Sequence, residues 1–401
     1  MISNVDKEKC TGCGLCAAIC PKKCIRMTPN EEGFLYPVID NDLCIECNLC
    51  EKYCHAINIH TDGMYSPKAF AAYTKNDIIR MKSSSGGIFY SLARYVISLG
   101  GSVYGAVINS NNEVIHDRAD TLDQIDNMLG SKYVQSRIDS DIYQRIKYDL
   151  EKGKYVLFSG TPCQCGAVKH YTSGLKTNNL YIVSFICHGV PSPLVWREYI
   201  NWQTKVNGAN IVKASFRDKT LGWTRFSMAL EFSDGKKYQK PLDKDYYLKA
   251  FLKNNCLRKS CYHCQYKGKE HYVNIDIMLA DWWGAESSEL LTNSCDKGIS
   301  AVFVNTALGE ELWNRVSKDL NYQSISFENA STSNIAYNHA AVEGKNREAF
   351  MKNLNKISFD KLANRYCRTP MINIIKKNTI KGLYWCAKKT GALKIYKRLR
   401  K

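Results

Sequence analysis

The sequence lacks several features that would place the chain in other classes of protein. No apolar stretch of the kind found in secretion signals occurs in its first residues, MISNVDKEKC, and we therefore expect no export. The longest apolar runs, at residues 156–158 and 180–187, have the length of a strand and fall far short of a membrane span. No low-complexity segment and no recognised nucleic-acid module is visible. These absences predict a globular cytoplasmic protein that does not bind nucleic acid.

Acidic side chains are missing from one end of the chain. The net charge is +18, and residues 371–401 contain ten Lys or Arg residues but no Asp or Glu. Apolar residues are interleaved with these cations, so the tail over 331–401 is predicted to be basic, amphipathic and helical. Such a tail suits peripheral contact with an anionic membrane surface, an acidic partner, or packing as a terminal helix on its own domain.

A duplicated cysteine run is the clearest positive feature. The spacing C-x2-C-x2-C-x3-C occurs at Cys10, Cys13, Cys16 and Cys20, and again at Cys44, Cys47, Cys50 and Cys54. This is the run of bacterial two-cluster ferredoxins, in which the fourth cysteine ligates the other cluster. The predicted ligands are therefore Cys10, Cys13, Cys16 and Cys54 for one [4Fe-4S] cluster, and Cys20, Cys44, Cys47 and Cys50 for the second.

Zinc and disulfide bonds are the alternatives for these cysteines. Zinc usually takes its ligands as two pairs and does not need three cysteines in a row, and a large chain without a signal peptide is not a typical disulfide scaffold. His55 follows Cys54 where a proline is usual, which loosens the turn without removing a ligand. Cys24 is surplus to both clusters and is predicted to be a small buried hydrophobe.

A second group of cysteines lies far along the chain. Cys256, Cys261 and Cys264 form C-x4-C-x2-C, which is one ligand short of a [4Fe-4S] cluster. Cys163 and Cys187 each follow a predicted buried strand, at the strand ends where α/β sheets present chemistry. We favour Cys163 as the fourth ligand, and Cys187 is the alternative ligand or a redox-active thiol. A zinc loop completed by His263 or His271 is the competing interpretation.

A flavin is the next requirement. One-electron clusters that serve a two-electron substrate need a cofactor that accepts electrons in pairs and releases them singly, as flavin does. The sequence has no G-x-G-x-x-G and so no Rossmann dinucleotide signature. It does have SSSGG at residues 83–87, at the predicted start of a helix over 83–98, where backbone N–H groups can cradle phosphate. The same pattern is typical of an ordinary N-cap.

Over roughly residues 65–325 the chain resembles the family of the coenzyme F420 hydrogenase/dehydrogenase beta subunit. The resemblance is carried, in this order, by SSSGGIFYSLARYVISLGGSVYGAV, GSKYVQS, VLFSGTPCQC, ICHGVPSP, AFLKNNCLRKSCYHCQYK and NIDIMLADWWG. It implies an FAD-binding flavoprotein with a [4Fe-4S] cluster of its own. Position by position, it implies FAD phosphates cradled by Ser83, Ser85, Gly86 and Gly87, a flavin lined by Gly130, Ser131 and Lys132, and a Cys163 loop shaped by Thr161 and Pro162. Asp281 falls in its acidic–aromatic motif. His188, beside Cys187, would serve proton transfer at the flavin, so His188 and Cys187 are the candidate catalytic residues.

The predicted organisation is α+β followed by α/β with a partly parallel, mixed sheet, since short apolar runs alternate with helical stretches after residue 65. A two-cluster ferredoxin domain is predicted at 1–62, a flavin region at 65–165, a region with the third cluster at 166–330, and the basic tail at 331–401. An antiparallel hairpin is expected to turn at Asp234 and Gly235.

The function that these predictions favour is that of an iron–sulfur flavoprotein oxidoreductase. FAD would meet a small-molecule two-electron substrate, and the clusters would exchange electrons with ferredoxin or a redox partner subunit. One alternative is a non-catalytic electron-transfer subunit for a partner enzyme. The other is a flavin enzyme that acts on a polysaccharide-pathway precursor.

Overall fold

A computed structural model of the chain describes residues 2, 6–58, 66–175, 178–268, 275–283 and 296–368. Its strands are β1 Ile25–Pro29, β2 Leu35–Ile39, β3 Lys68–Thr74, β4 Ser102–Ile108, β5 Val114–Ala119, β6 Val156–Gly160, β7 Leu180–Phe185, β8 Ile211–Asp218, β9 Ser227–Phe232, β10 Lys237–Pro241, β11 Ile277–Asp281, β12 Ser300–Val304 and β13 Leu320–Ile325. Its α-helices are α1 Leu15–Ile19, α2 Leu49–Lys52, α3 Asp77–Lys82, α4 Ile88–Ser98, α5 Leu122–Met128, α6 Ser140–Glu151, α7 Pro162–Thr172, α8 Pro193–Asn207, α9 Tyr246–Leu252, α10 Lys259–Tyr262, α11 Ala307–Val316, α12 Phe327–Thr332, α13 Arg347–Lys352 and α14 Phe359–Tyr366.

The N-terminal unit is a small antiparallel hairpin with two short helices. β1 pairs with β2, and α1 and α2 lie in the two cysteine runs. The hairpin turns at Gly33, whose φ of +79° lies in the left-handed region that glycine tolerates. A Cβ at this position would collide with the side chain of Leu194 at the start of α8. The turn is therefore packed directly against the larger domain.

An eight-stranded mixed sheet is the centre of that larger domain. Its strand order is β13-β3-β12-β11-β7-β6-β4-β5, in which β4, β6, β7 and β11 are parallel and β12, β13 and β5 pair antiparallel to their neighbours. The predicted α/β domain with a partly parallel sheet is confirmed. The carboxyl ends of β4, β6, β7 and β11 share one edge of this sheet, and they carry the residues discussed below.

Apolar side chains cover both faces of the sheet. Successive residues of β6 show the alternation, since Val156 and Phe158 belong to one core while Leu157 belongs to the other. Leu15 of α1 is buried in the core that contains Val156 and Phe158. The N-terminal unit thus shares a core with the larger domain rather than sitting on it through polar contacts alone.

A second, three-stranded antiparallel sheet has the order β10-β9-β8. The predicted hairpin is present, and Gly235 in its turn has a φ of +83°. This sheet packs with α8, α9 and α14 around a core that includes Trp196 and Tyr247. Cys256 and Cys367 are buried in the same core.

The structure differs from the predicted helix over 83–98. The helix begins at Ile88, and residues 83–87 form a loop because Gly87 has a φ of +84° and Gly86 packs against the backbone of Ala72. Within the residues described, no helix is long and apolar enough to cross a bilayer. The basic run 371–401 lies outside the described residues, so its predicted helix and the domain boundaries stay predictions.

Candidate functional site

The carboxyl edge of the large sheet gathers residues from separate strands. Cys163 follows β6, Cys187 follows β7, and Asp281 ends β11, which are three neighbouring strands in the sheet. Residues 83–87 reach the same edge, since the Gly86 N–H donates to the Ser300 hydroxyl at 2.9 Å where β12 begins. Sheet register therefore brings together motifs that are far apart in sequence.

The first group of thiols, called here the distal group, lies in the N-terminal unit. A cavity there is lined by Cys20, Cys44, Cys47 and Cys50, which is the crossed set that the spacing predicts. Cys24 also lines this cavity, and its Sγ lies 3.4 Å from that of Cys20. Cys24 is buried, as predicted. Cys47 is the one exposed cysteine of the chain segments described, so this group reaches the surface.

The proximal group consists of Cys10, Cys13, Cys16 and Cys54. Burial raises the pKa of Cys16, and the charges of the other three thiols act in the same direction, which places the four close together. The Tyr143 hydroxyl of α6 donates to the backbone carbonyl of Cys13 at 2.9 Å. The proximal group thus faces the larger domain, while the distal group faces away from it.

The sheet-edge group consists of four cysteines around a second cavity, namely Cys163, Cys187, Cys261 and Cys264. Thr161 caps α7 through a capping box with Gln164, which fixes Cys163 in the first helical turn. Pro162 is the first residue of that helix and also lines the cavity. The Val190 N–H donates to the Sγ of Cys261 at 3.4 Å. Both candidate fourth ligands are present together.

Cys256, which the spacing predicted as a ligand, lies apart from the residues that line this cavity. It is fully buried in the core around β8, β9 and α9, and the charge that acts on it most strongly is that of Cys367. Cys261 lies on α10, after Arg258 in the sequence, whereas Cys256 comes before Arg258 and the turn that leads into this helix. The cavity is therefore lined by Cys187 together with Cys163, Cys261 and Cys264, and not by Cys256.

The geometry of the thiols bears on the zinc alternative. A single zinc ion draws four ligands to about 2.0–2.3 Å from one point. Among the residues with described positions, no three His, Cys, Asp or Glu side chains converge on one point in this way. His263 is exposed, and His271 lies outside the described residues. The cysteines line the two cavities described above. Burial raises the pKa of Cys187 to about 11 and of Cys261 to about 12, so these thiols would lose their protons on binding a metal cation.

Aromatic side chains fill the space between the proximal and sheet-edge groups. Tyr266 lines the sheet-edge cavity, and its pKa, raised mainly by burial, is raised further by thiols of both groups, including Cys13 and Cys163. The Tyr266 hydroxyl contacts Nδ1 of His55, and Nε2 of His55 lies 3.4 Å from the Thr11 hydroxyl. Burial lowers the pKa of His55 to about 3, so this ring is neutral. The two thiol groups are therefore near neighbours.

The loop predicted to cradle phosphate has most of its polar groups engaged within the protein. Ser83 donates to the Ile79 carbonyl at 2.8 Å, and Ser85 donates to the Ile299 carbonyl at 2.8 Å. The N–H of Gly86 is taken by Ser300, and Gly87 is buried. Ser84 is the exception: its hydroxyl is half-buried and lies 2.7 Å from that of Ser131.

Arg217, which the sequence analysis did not single out, lies at the same edge of the sheet beside Asp281. Arg217 at the end of β8 donates to Asp281 at 2.8 Å, while its Nε and Nη2 atoms are buried without a partner in the described structure. The Tyr133 hydroxyl lies close to both Arg217 and Ser131, whose effects oppose the burial that raises its pKa. Tyr133 lies in the GSKYVQS segment, so the motif already pointed to this part of the site. No motif in the sequence identifies Arg217 as a site residue.

The remaining predicted residues have local roles in the structure. The Lys132 ammonium donates to the carbonyls of Asn127 and Leu129 at 2.9 Å, at the end of α5, and burial lowers its pKa to about 7. Gly130 has a φ of +77° before Ser131. His188 lines the sheet-edge cavity, and its Nε2 lies 2.6 Å from Oδ1 of Asn254.

Comparison with known proteins shows two matches to sequence families. Residues 9–57 match the 4Fe-4S dicluster domain, and residues 153–329 match the C-terminal family of the coenzyme F420 hydrogenase/dehydrogenase beta subunit. The N-terminal unit is therefore a small iron–sulfur domain of the ferredoxin type that binds 4Fe-4S clusters. These matches confirm the resemblance: residues 153–329 are similar to the C-terminal part of the coenzyme F420 hydrogenase/dehydrogenase beta subunit, and they follow the N-terminal iron–sulfur domain. Residues 83–87 and 130–132 lie outside the matched ranges.

Individual relatives match the N-terminal unit. The chain is 42% identical over 50 residues to an uncharacterized ferredoxin from Methanocaldococcus jannaschii, a match that covers 12% of this chain and 64% of the relative. It is 41% identical over 63 residues to an iron-sulfur subunit of the CoB–CoM heterodisulfide reductase of the same organism, covering 12% of this chain and 10% of the relative. The chain thus spans less than two thirds of the length of either relative.

Among solved structures, the chain is similar to one from the F420-reducing [NiFe] hydrogenase complex of Methanosarcina barkeri. The TM-score is 0.45 at 18% sequence identity, and the match covers 76% of this chain and 92% of the other.

Proposed function

We propose that this protein is an iron–sulfur flavoprotein oxidoreductase that relays electrons between FAD and three [4Fe-4S] clusters. One observation carries the proposal: four cysteines, two after strand ends and two in or just after α10, surround a single cavity directly beside the proximal group. Four free thiols around one cavity fit the ligand set of a [4Fe-4S] cluster. The proposed ligands of the third cluster are Cys163, Cys187, Cys261 and Cys264.

The order of the groups suggests a route. The sheet-edge group lies next to the proximal group, and the distal group lies at the outer surface with Cys47 exposed. Electrons would pass between the sheet edge and the surface through the proximal group. Ferredoxin or a partner subunit would exchange electrons beside Cys47, where Leu43 and Ile45 also have exposed side chains.

The residues of the sheet edge fit a flavin, although not in the way that the sequence predicted. Ser83, Ser85 and Gly86 are occupied by bonds within the protein, whereas the half-buried hydroxyls of Ser84 and Ser131 contact only each other, and Arg217 has buried Nε and Nη2 atoms without a hydrogen-bond partner in the described structure. A buried guanidinium with unpartnered N–H groups calls for an acceptor, and phosphate or flavin carbonyl oxygens would supply one.

When bound, FAD would accept two electrons from a small-molecule substrate and release them one at a time. Asp281 would hold Arg217 in place through its ion pair, and Thr161 would hold Cys163 through the helix cap. The proposed ligand role of Cys187 leaves His188 as the residue to move a proton. Its Nε2 donates to Oδ1 of Asn254, so the proton would move at Nδ1.

Arg217→Lys tests the flavin site. Lysine keeps the positive charge beside Asp281 but lacks the planar fork of donors, so we expect FAD content to fall at least tenfold while iron content stays unchanged. Lys213→Ala is the matched control, because Lys213 lies on the same strand with an exposed side chain. Full FAD occupancy in Arg217→Lys would reject this placement.

The wild-type protein, purified without oxygen, should then be offered NADH, NADPH, reduced F420 and reduced ferredoxin in turn. The donor that bleaches the visible absorbance of flavin and clusters identifies the direction of electron flow. A second candidate function is a flavin-free electron-transfer subunit, favoured by the internal bonding of Ser83, Ser85 and Gly86. Three clusters without releasable FAD would support that candidate.

A further inference from the structure

One buried arginine joins the loop of the sheet-edge group to the proximal group. Arg258 is fully buried and precedes α10, the helix that carries Cys261. Its Nε donates to the backbone carbonyl of Cys10 at 2.8 Å, and its Nη2 lies 3.7 Å from the Sγ of Cys10. Its remaining donors reach the Leu35 carbonyl at 2.9 Å and the Gln135 side-chain carbonyl at 3.1 Å.

This guanidinium has no carboxylate as counter-charge within the part of the chain that the structure describes. Its acceptors are neutral oxygen atoms and the sulfur of Cys10. Taking an unpaired charge out of water is unfavourable, so a buried arginine is normally paired with an anion. The proximal group would supply that anion, because its cysteines would be thiolates when they ligate a cluster.

The surroundings are shaped around the arginine. Gly12, with a φ of +67°, lies so close that a Cβ there would stand 2.6 Å from Nη1 of Arg258. The ring of Tyr36 covers the guanidinium at 4.3 Å. The guanidinium is therefore held in one position by the backbone carbonyls, the Tyr36 ring and the Gln135 amide. It has little freedom to rotate away from Cys10.

We propose that Arg258 sets the reduction potential of the cluster held by Cys10, Cys13, Cys16 and Cys54, raising it above the value it would otherwise have. The inference rests on the proposed function, because it requires that cluster. Reduction adds one electron, and hence one negative charge, to the cluster; no bond forms or breaks and no proton moves. A fixed positive charge beside a ligand sulfur favours the more negative, reduced state.

The consequence is directional. Arg258 also lines the sheet-edge cavity, and its charge opposes the burial that raises the pKa of Cys261, but its direct contact with a thiol is to Cys10. We therefore expect its effect to be larger at the proximal cluster than at the sheet-edge cluster, and the higher potential of the proximal cluster would draw electrons towards the N-terminal domain. The same side chain that fastens the two domains together would therefore also bias the electron route between them.

The test is a reductive titration of the three clusters, followed by electron paramagnetic resonance, in wild type and Arg258→Met. Cys13→Ala, which should lack the proximal cluster, identifies its signal. We expect Arg258→Met to retain full iron and to lower the midpoint potential of that signal more than that of either other cluster, since Arg258 contacts the Cys10 sulfur directly. Because the charge is buried, the shift should persist at high salt. Lys259→Met removes a neighbouring exposed cation and should move no potential.

Full iron with an unchanged proximal midpoint in Arg258→Met would overturn the inference. So would an Arg258→Lys variant that shifts as far as Arg258→Met, since lysine keeps the charge. If Arg258→Met loses the cluster, Arg258→Gln, which keeps amide donors, is titrated in its place, and an unchanged midpoint there also overturns the inference. Failure of the proposed function is distinguishable, because the wild-type protein itself would then lack the iron and the signal.

Discussion

Arg347 donates two parallel hydrogen bonds to the carboxylate of Glu32, from Nη1 to Oε1 at 2.8 Å and from Nη2 to Oε2 at 2.6 Å. The two residues are 315 positions apart in the sequence. Glu32 lies in the turn of the N-terminal hairpin, and Arg347 opens α13. The Arg347 side chain is 1% exposed and that of Glu32 is 24% exposed. This bidentate pair ties the iron–sulfur domain to the C-terminal part of the fold.

Removing one partner of this pair should loosen the attachment of the iron–sulfur domain. Glu32→Ala leaves a buried guanidinium without its main counter-charge. We expect the free energy of unfolding to fall by about 3 kcal/mol, which is at the low end for buried ion pairs because Glu32 is partly solvated. Urea unfolding followed by cluster absorbance measures this. Glu31→Ala, at an exposed neighbour, is the control. Equal unfolding midpoints in the two variants would show that the pair contributes nothing.

Counting iron distinguishes the proposed ligands of the sheet-edge cluster from the set that the spacing predicted. Cys261→Ala should cost about four of roughly twelve irons, because one [4Fe-4S] cluster loses a ligand. Cys256→Ala removes a sulfur that lies in a different core and should leave the count unchanged. The opposite pattern, with iron lost only from Cys256→Ala, would restore the ligand set that the spacing predicted.

The neighbouring thiols Cys20 and Cys24 allow a similar comparison in the distal group. Both line one cavity, but only Cys20 lies in the duplicated spacing. We expect Cys20→Ala to lose about four irons and Cys24→Ala to retain all of them. Should the two variants lose iron equally, Cys24 would have to be counted among the ligands.

The basic tail gives a prediction that depends on the sequence alone. Deletion of residues 371–401 removes ten cations and no acid, so binding to vesicles with anionic lipid should weaken most at low salt. Vesicle co-sedimentation at two salt concentrations measures this, with neutral vesicles as the control. Binding that is indifferent to the deletion would favour a structural role for the tail.

Part of the site was predictable from the sequence because its ligands are close neighbours along the chain. The duplicated spacing predicted the iron–sulfur domain and the crossed lining of the distal cavity, with Cys20 beside Cys44, Cys47 and Cys50. Alternating strands and helices likewise predicted the partly parallel sheet. Local geometry fixes such features, since two or three intervening residues leave the chain few ways to place the next sulfur.

The tertiary structure decided the rest. Strand pairing brought Cys187 beside Cys163. Cys256 is much closer in sequence to Cys261 than Cys163 or Cys187 is, yet the turn before α10 places Cys256 in another core. Arg217 and Arg258 could not be recognised as special, because a buried charge is informative only once its neighbours are known. Residue spacing determined which neighbouring cysteines can share a metal centre. The register of the sheet determined which distant side chains lie beside them. No short segment encodes that register, because it depends on how separate strands pair.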